Sequence, residues 1–435
     1  MAKKAKFVSV ARAGSASLAA VSLAISEREK ARHEAIVVGL LFLSTLINYL
    51  DRQTLSIVAP LLRDQFSLSN VDYSHIVFAF LLGYTLSQIL VGKLIDRVGT
   101  RAGMLMCVAV WSAATIVHGL ALGFVSFCLA RFFLGIAEAG NWPGAVKAIS
   151  ENFPPQRYAL AAGIFNSGSF FGAIIAAPLI AALVQTWGWR WMFAAIGVTG
   201  FTWICMWTKF YKNRSPVPLQ KCARMDRRPF LTVTYLRQKT IWGLMIARFL
   251  ADPVWWLYVF WLPEYLVRSR GFDLPTIGRV LWIPFLFAAL GSGMGGYASG
   301  ALVDRWGSAA LARKVVAVLG AALMLLGIMP AFLASNNTVV VVWVSLILFG
   351  YASWAANVLS LAADLFPSEQ VARVTGLLGT AGAIGGMLFT LTTGWLVQNV
   401  SYGPVFALAS AMIVCAASAI VWLVPREMTT ELPAI

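Results

Sequence analysis

Charge is what this 435-residue chain has least of: Asp, Glu, Lys and Arg make up 12% of it, where a soluble domain carries about 25%. That scarcity excludes a solvated globular domain of useful size. Acids are rarer than bases, 18 against 34, so a buried carboxylate stands out. The five cysteines, Cys107, Cys128, Cys205, Cys222 and Cys415, show no metal or disulfide spacing, and four lie in apolar stretches, so they are expected to be packing residues and no metal site is expected. HExxH, GxSxG and nucleotide-loop patterns are absent, which argues against an enzyme and against any cofactor. Residues 1–34 hold Ala, Ser and Lys, with acids only from Glu27. No cleavable signal is evident there, and a basic, disordered cytoplasmic tail is expected instead of a transit peptide.

What fills the chain is apolar: 59% hydrophobic residues and a mean hydropathy of +0.76. Stretches of about 20 apolar residues, enough to cross a bilayer as a helix, recur at 36–60, 73–95, 101–122, 124–149, 157–184, 188–211, 240–267, 275–303, 311–334, 337–363, 370–397 and 401–424. The reading is an all-α polytopic membrane protein with twelve transmembrane helices. Its longest and most basic break gives a six-helix bundle over 35–211, a cytoplasmic linker over 212–239, a second bundle over 240–425 and a tail over 426–435. A net charge of +16 raises the question of nucleic acid, but its distribution answers it. With the spans placed, only Arg63, Arg190, Arg268, Arg270 and Arg279 fall on one side and the remaining assigned bases fall on the other. That is the positive-inside asymmetry, with both termini cytoplasmic and the partner a lipid bilayer, not a nucleic acid.

The two bundles repeat each other. Gly92-Lys-Leu-Ile-Asp96-Arg97-Val-Gly99 returns as Gly300-Ala-Leu-Val-Asp304-Arg305-Trp-Gly307, and Phe153-Pro154, Gly163 and Gly172 return 213 positions later as Phe366-Pro367, Gly376 and Gly385. Parallel six-helix pseudo-repeats around a midplane cavity are a common build of secondary transporters. On these residues the chain resembles the major facilitator superfamily over about 35–425. The repeated G-x-L-x-D-R-x-G, extended by Arg101, resembles that superfamily's cytoplasmic loop, which implies a conformational role for Gly92, Asp96, Arg97, Arg101, Asp304 and Arg305, with the Asp-Arg pair latching the cytoplasmic side in one state. A narrower likeness rests on Asn48-Tyr49-Leu50-Asp51-Arg52 and on Ala130-Arg131-Phe132-Phe133-Leu134-Gly135-Ile136-Ala137-Glu138-Ala139. These are similar to the anion:cation symporter branch, whose members move sugar acids and other organic anions with protons. Arg248 to Trp255 and Ala161 to Gly172 are most similar to bacterial hexuronate (glucuronate/galacturonate) proton symporters. That likeness implies a bacterial cytoplasmic (inner) membrane and no cofactor beyond the proton gradient.

The polar residues inside the spans carry the chemistry. A charge at the bilayer centre costs roughly 2.5–3.5 kcal/mol on insertion scales, so each must face protein or water. In the fourth span Arg131 lies roughly 10 Å and Glu138 roughly 21 Å from its start, two turns apart on one face. Tyr84 and Gln88 are paired at i, i+4 in span two, and Asn166 and Ser169 at i, i+3 in span five. In span one Tyr49 and Arg52 share a face while Asp51 is rotated about 100° away. Arg52 and Arg131 cannot deprotonate and present a fork suited to a carboxylate, whereas Asp51 and Glu138 can exchange protons. The resemblance implies that Asp51 and Glu138 are the protonatable pair and that Tyr49, Arg52 and Tyr84 contact substrate, with Arg131 alternating between Glu138 and ligand. Against this stands a purely structural pair locking span four. Arg248 and Asp252 are spaced to neutralise each other, or to act in substrate contact or gating. Among the aromatics, Trp255, Trp256, Tyr258 and Trp261 are placed to stack on sugar C–H faces, and Trp255 and Trp354 are the candidate ligand contacts. His75 and His118, towards helix ends, are expected to be structural.

The expected function is uptake of a small monoanionic sugar acid, a hexuronate, with protons, by a monomer working through alternating access. The alternative is an organic-anion or sugar-phosphate exchanger of the same fold. Arg52 and Arg248 mimic the arginine pair of phosphate exchangers, but Asp51 and Glu138 argue against a dianion. Some sugar-acid symporters carry an asparagine in span eleven, which Gly376 to Leu396 lacks.

Overall fold

The computed structural model describes residues 2–154, 157–211, 238–366 and 368–425; most of the expected linker and the expected C-terminal tail lie outside them. Among the described residues every element is a helix: α1 Ala2–Phe66, α2 Asn70–Val98, α3 Thr100–His118, α4 Phe124–Glu138, α5 Asn141–Asn152, α6 Tyr158–Phe210, α7 Lys239–Arg270, α8 Leu274–Val280, α9 Trp282–Trp306, α10 Ala309–Leu333, α11 Asn337–Leu365, α12 Ser368–Asn399 and α13 Tyr402–Leu423. The segment expected as a basic tail lies within the start of α1. Its Ala, Lys and Arg are good helix formers and no proline interrupts them. Where it enters the bundle it is pinned by Arg157 to Glu34, 2.8 Å, and by His33 to the Asn152 side-chain oxygen, 2.9 Å.

Ten of these stretches are long and apolar enough to span a membrane, and α2, bent by 49° between Gln88 and Leu90, makes an eleventh. The stretch Leu160–Phe210 is really two spans. Gly188 interrupts it at φ 77°, ψ 165°, backbone that only glycine adopts readily. Before the break, Gly168 and Gly172 lie against Phe42 and Leu46 of α1. After it, Trp189 donates to Gln65 and Trp203 to the Leu40 carbonyl, each at 2.7 Å. The second arm therefore runs back along α1, and the count among the described residues becomes twelve.

Sequence chemistry also sets the turns. Ser69 and Asp72 cap α2 reciprocally. Asp273 caps α8 by accepting the Thr276 N–H at 2.9 Å, and hydrogen bonding from the Thr276 side chain and then its N–H holds the exposed carboxylate below the usual range. Small residues let helices that carry polar groups approach closely: Gly135 of α4 backs onto Phe80 of α2, and Gly172 backs onto α1 beside Tyr49. The helices α1–α6 and α7–α13 meet chiefly through α1 with α7, α2 with α12, and α6 with α8 and α9. One end of the bundle carries Asp96 and Asp304, the other Arg63 and Arg268.

Candidate functional site

Within the apolar span of α1, Arg28–Phe66, a run of polar residues is fully buried: Ser44, Thr45, Asn48, Asp51, Arg52, Gln53, Thr54 and Ser56. Its lower part zips onto α5, where Asn141 accepts from Ser44 at 2.9 Å and donates to Thr45 at 3.0 Å. That contact fixes the rotation of α1 and hence where the next turns point.

Arg52 points at Glu138. Its Nη2 and Nε donate to Oε2 at 2.8 and 3.1 Å, and Nη2 also reaches the Asn48 side-chain oxygen at 3.1 Å. Glu138 is the last residue of α4, the helix end where a negative charge is least favoured, so the guanidinium compensates it. Both side chains are buried, 3% and 0% exposed, and Oε1 of Glu138 has no protein partner. Four rings enclose the guanidinium: Tyr49 at 4.7 Å, Tyr84 at 5.1 Å, Phe80 at 5.2 Å and, from the other half of the molecule, Trp256 at 5.7 Å. The charge thus sits in a cage that favours a cation.

Three residues take places other than those expected. Arg131 does not pair with Glu138; it donates to the Arg52 carbonyl at 3.3 and 3.4 Å. Seven residues of helix separate Arg131 from Glu138 by about 10 Å along the axis, two turns on the same face but beyond direct contact, and Arg52 of the neighbouring helix fills the gap. Trp354 is fully buried in the core; the aromatic that α11 turns towards α7 is Tyr351, stacked on Trp255 at 5.4 Å. Across to Arg52 it is Trp256, one residue beyond Trp255, that makes the contact, because one helical step turns the side chain by about 100°. Asp51 is turned away from Arg52 as its position predicts, 2% exposed, towards α3.

In the second half Arg248 pairs with Asp252 at 2.8 Å, and Tyr351 donates to the same carboxylate at 3.1 Å. Gly382 of α12 lies against Asp252, so this triad sits in a tight corner. Gln88 is half-buried at the bend of α2, and Asn166 is half-buried on α6, where its carbonyl accepts the Ser169 hydroxyl at 2.7 Å. His75 is exposed beside Phe124 and His118 is buried.

In this structure the repeated loops are tied within their own half or exposed. Asp96 pairs with Lys147 of its own half at 3.0 Å, Arg101 donates to the Thr208 carbonyl at 2.7 Å, and Arg97, Asp304 and Arg305 are exposed. Gly99 and Gly307, at φ 86° and 69°, turn these loops tightly at the bundle's end. The cross-half latch that sequence reasoning missed lies at the opposite end. Arg63 of α1 pairs with the buried Glu264 of α7, and Arg268 of α7 pairs with Asp64 and reaches Glu264 at 3.4 Å. Tyr73 donates to the Phe260 carbonyl at 2.6 Å, and the Val71 N–H to Gln398 at 3.0 Å. The available signal was opposite charge at the ends of the first helix of each repeat.

A model of the Major Facilitator Superfamily matches residues 41–390 and 290–434. The chain is 31% identical to the hexuronate transporter of Escherichia coli K12 over 407 residues, 89% of this chain and 93% of that one. It is 32% identical to the galacturonate transporter of Dickeya chrysanthemi over 307 residues, 66% and 88% of the two chains. Among solved structures, a bacterial homologue of the human lysosomal transporter Spinster superposes with a TM-score of 0.72 at 19% identity, covering 90% of this chain and 95% of that one.

Proposed function

The chain belongs to the Major Facilitator Superfamily and is a multi-pass membrane transporter, not an enzyme; from that premise we propose that it takes up a sugar-acid monoanion, a hexuronate, in symport with protons by alternating access. The relatives named for hexuronate and galacturonate support the substrate class. The observation that carries the coupling is the buried Arg52–Glu138 pair under rings from both halves. Arg52 has its fork committed to Glu138. A substrate carboxylate gains it only when Glu138 gives it up, and a proton on Glu138 removes the competing charge. Proton and anion therefore bind together, with Tyr49, Tyr84 and Trp256 against the sugar. At 100 mV one elementary charge is worth about 2.3 kcal/mol, so one proton cancels the charge of a monoanion and a second, on Asp51, makes uptake electrogenic.

The end bearing Lys93, Arg97, Arg101, Arg305 and Arg313 is assigned to the cytoplasm and both termini with it, in a bacterial cytoplasmic membrane. The site is built from a single chain, so a monomer suffices. A sugar-phosphate or organic-anion exchanger is the competing reading, but Arg248 is paired with Asp252, so it does not stand beside Arg52 as a free second cation for a dianion.

Two measurements test these points. In a thermal-shift panel of galacturonate, glucuronate, galactonate and glucarate, the hexuronates should stabilise most: a ligand at 100 times its Kd adds about 2.7 kcal/mol. A larger shift with sugar phosphates, together with counterflow indifferent to pH, would favour the exchanger. The latch gives the second. Glu264→Gln is expected to open the Arg63 end, so that a cysteine placed at Gln398 is labelled at least about tenfold faster, the equivalent of 1.4 kcal/mol. Unchanged labelling would remove the latch from the gating account.

A further inference from the structure

Behind α1, on the side away from the Arg52 cage, four buried side chains present polar atoms without a protein partner. They are both carboxylate oxygens of Asp51, Oγ1 of Thr115, Nε2 of His118 and Nε of Arg131, and none of these side chains is more than 2% exposed. Each comes from a helix that reaches this spot for a reason. Asp51 is rotated off the Arg52 face of α1. Thr115 and His118 stand at i, i+3 on α3 and so share one face. Arg131 of α4 has its other nitrogens on the Arg52 carbonyl. The Thr115 hydroxyl faces the Asp51 carboxylate without meeting hydrogen-bond geometry, and Arg131 lies within electrostatic reach of both Asp51 and His118.

Buried polar atoms are paired in native proteins by protein or by ordered water, and a bound water needs two to four polar partners. Between them these side chains supply both donors and acceptors: carboxylate, hydroxyl, imidazole, guanidinium. We propose that this cluster is an internal water site, and that Thr115 and His118 position the water chain through which Asp51 gains and releases its proton, separate from the substrate cavity. This rests on the proton-symport reading above. His118 Nδ1 is used by the Ala114 carbonyl at 2.7 Å, which makes it the protonated nitrogen and leaves Nε2 as the acceptor. The ring lies stacked on Phe193 at 5.2 Å, with Phe127 at 6.3 Å. The charged group within electrostatic reach of the ring is Arg131 from α4, and those within reach of Asp51 are Glu138 and Arg131, also from α4; α6 contributes Phe193 beside the ring and α4 Phe127. With Arg131 alongside, the imidazole serves as a neutral acceptor. A proton from the aqueous phase enters the first water as the last water gives one to Asp51 Oδ, each intervening water breaking one O–H bond and forming another, so the waters end unchanged and Asp51 alone has gained the proton; release runs the same steps in reverse.

The test uses the full-length protein in proteoliposomes with labelled D-galacturonate. Thr115→Val keeps the shape and removes the hydroxyl; His118→Phe keeps the stack on Phe193 and removes the acceptor. Each should lower uptake driven by a pH gradient at least about tenfold, leave galacturonate counterflow within about twofold and leave the thermal midpoint near wild type. Thr115→Ser and His118→Gln, which restore a polar atom, should recover most of the driven rate. Driven uptake unchanged in both Thr115→Val and His118→Phe overturns the inference, and so does parallel loss of uptake, counterflow and thermal stability, which marks a packing role. A wild-type protein indifferent to the pH gradient overturns the symport reading first and the inference with it.

Discussion

Glu138→Gln is expected to lower uphill accumulation by about a hundredfold while sparing exchange. With an imposed gradient of two pH units and no membrane potential, each coupled proton sustains about a hundredfold accumulation, since 1.4 kcal/mol is tenfold, and the variant loses the share carried by Glu138, keeping only what a proton on Asp51 sustains. The geometry gives the reason. Oε2 of Glu138 holds two donors of Arg52 at 2.8 and 3.1 Å, so the carboxylate is the rival of any substrate anion. A glutamine offers a neutral oxygen in the same place and mimics a permanently protonated glutamate. Arg52 is then available to substrate at every pH, and binding no longer draws a proton with it. Counterflow needs binding and rocking but no net proton movement, and it should persist within about threefold. Glu138→Asp separates charge from reach: it still titrates, but it is one methylene short of Arg52 and should couple partially. A Glu138→Gln protein that concentrates substrate as the wild type does would sink the proton role.

Much of this arrangement was legible along the chain. Twelve apolar stretches appear as helices, and the polar positions in the first, second and fourth of them converge on one place because helical spacing fixes their faces. The division of Asp51 from Arg52 follows from a single helical step. The pairing within the site was not legible, because periodicity gives a face but not a partner. Arg131 and Glu138 share a face, yet the rise of the helix keeps them apart, and Arg52 reaches Glu138 across 86 residues of sequence. Trp256 replaces Trp255 opposite Arg52 for a related reason: rotation of α7 about its own axis is set by packing, here by Gly385 and Gly386 of α12 against Phe249 and Trp256. Arg63, Asp64, Glu264 and Arg268 look like ordinary charges at helix ends until α1 and α7 are brought side by side. The repeated Asp-Arg loop carries a strong pattern whose expected latch belongs to one state of the cycle; here Asp96 is paired within its own half and Arg97, Asp304 and Arg305 are exposed.

Arg52→Ala is expected to remove the ligand-induced thermal shift and to lower affinity by about 30-fold to several thousandfold, the 2–5 kcal/mol typical of truncating one side of a buried hydrogen-bonded charge pair. That result alone is ambiguous, because the truncation also strands Glu138, fully buried, without its cation. A buried charge stripped of its partner destabilises by about 3–5 kcal/mol, so the single variant should also melt earlier. The double variant Arg52→Ala with Glu138→Gln separates the two effects, since it leaves no uncompensated charge and should recover most of the stability. If Arg52 serves only to neutralise Glu138, binding returns with stability in that protein. If Arg52 holds the substrate carboxylate, stability returns and binding does not. Arg52→Lys sharpens the choice further. It keeps the charge under Tyr49, Tyr84 and Trp256 but loses the planar fork that grips a carboxylate at two points, so it should bind measurably but at least about tenfold more weakly than wild type. A lysine variant with unchanged affinity would mean that the cage needs a cation there and nothing more, and would move the recognition of the sugar's carboxylate away from α1.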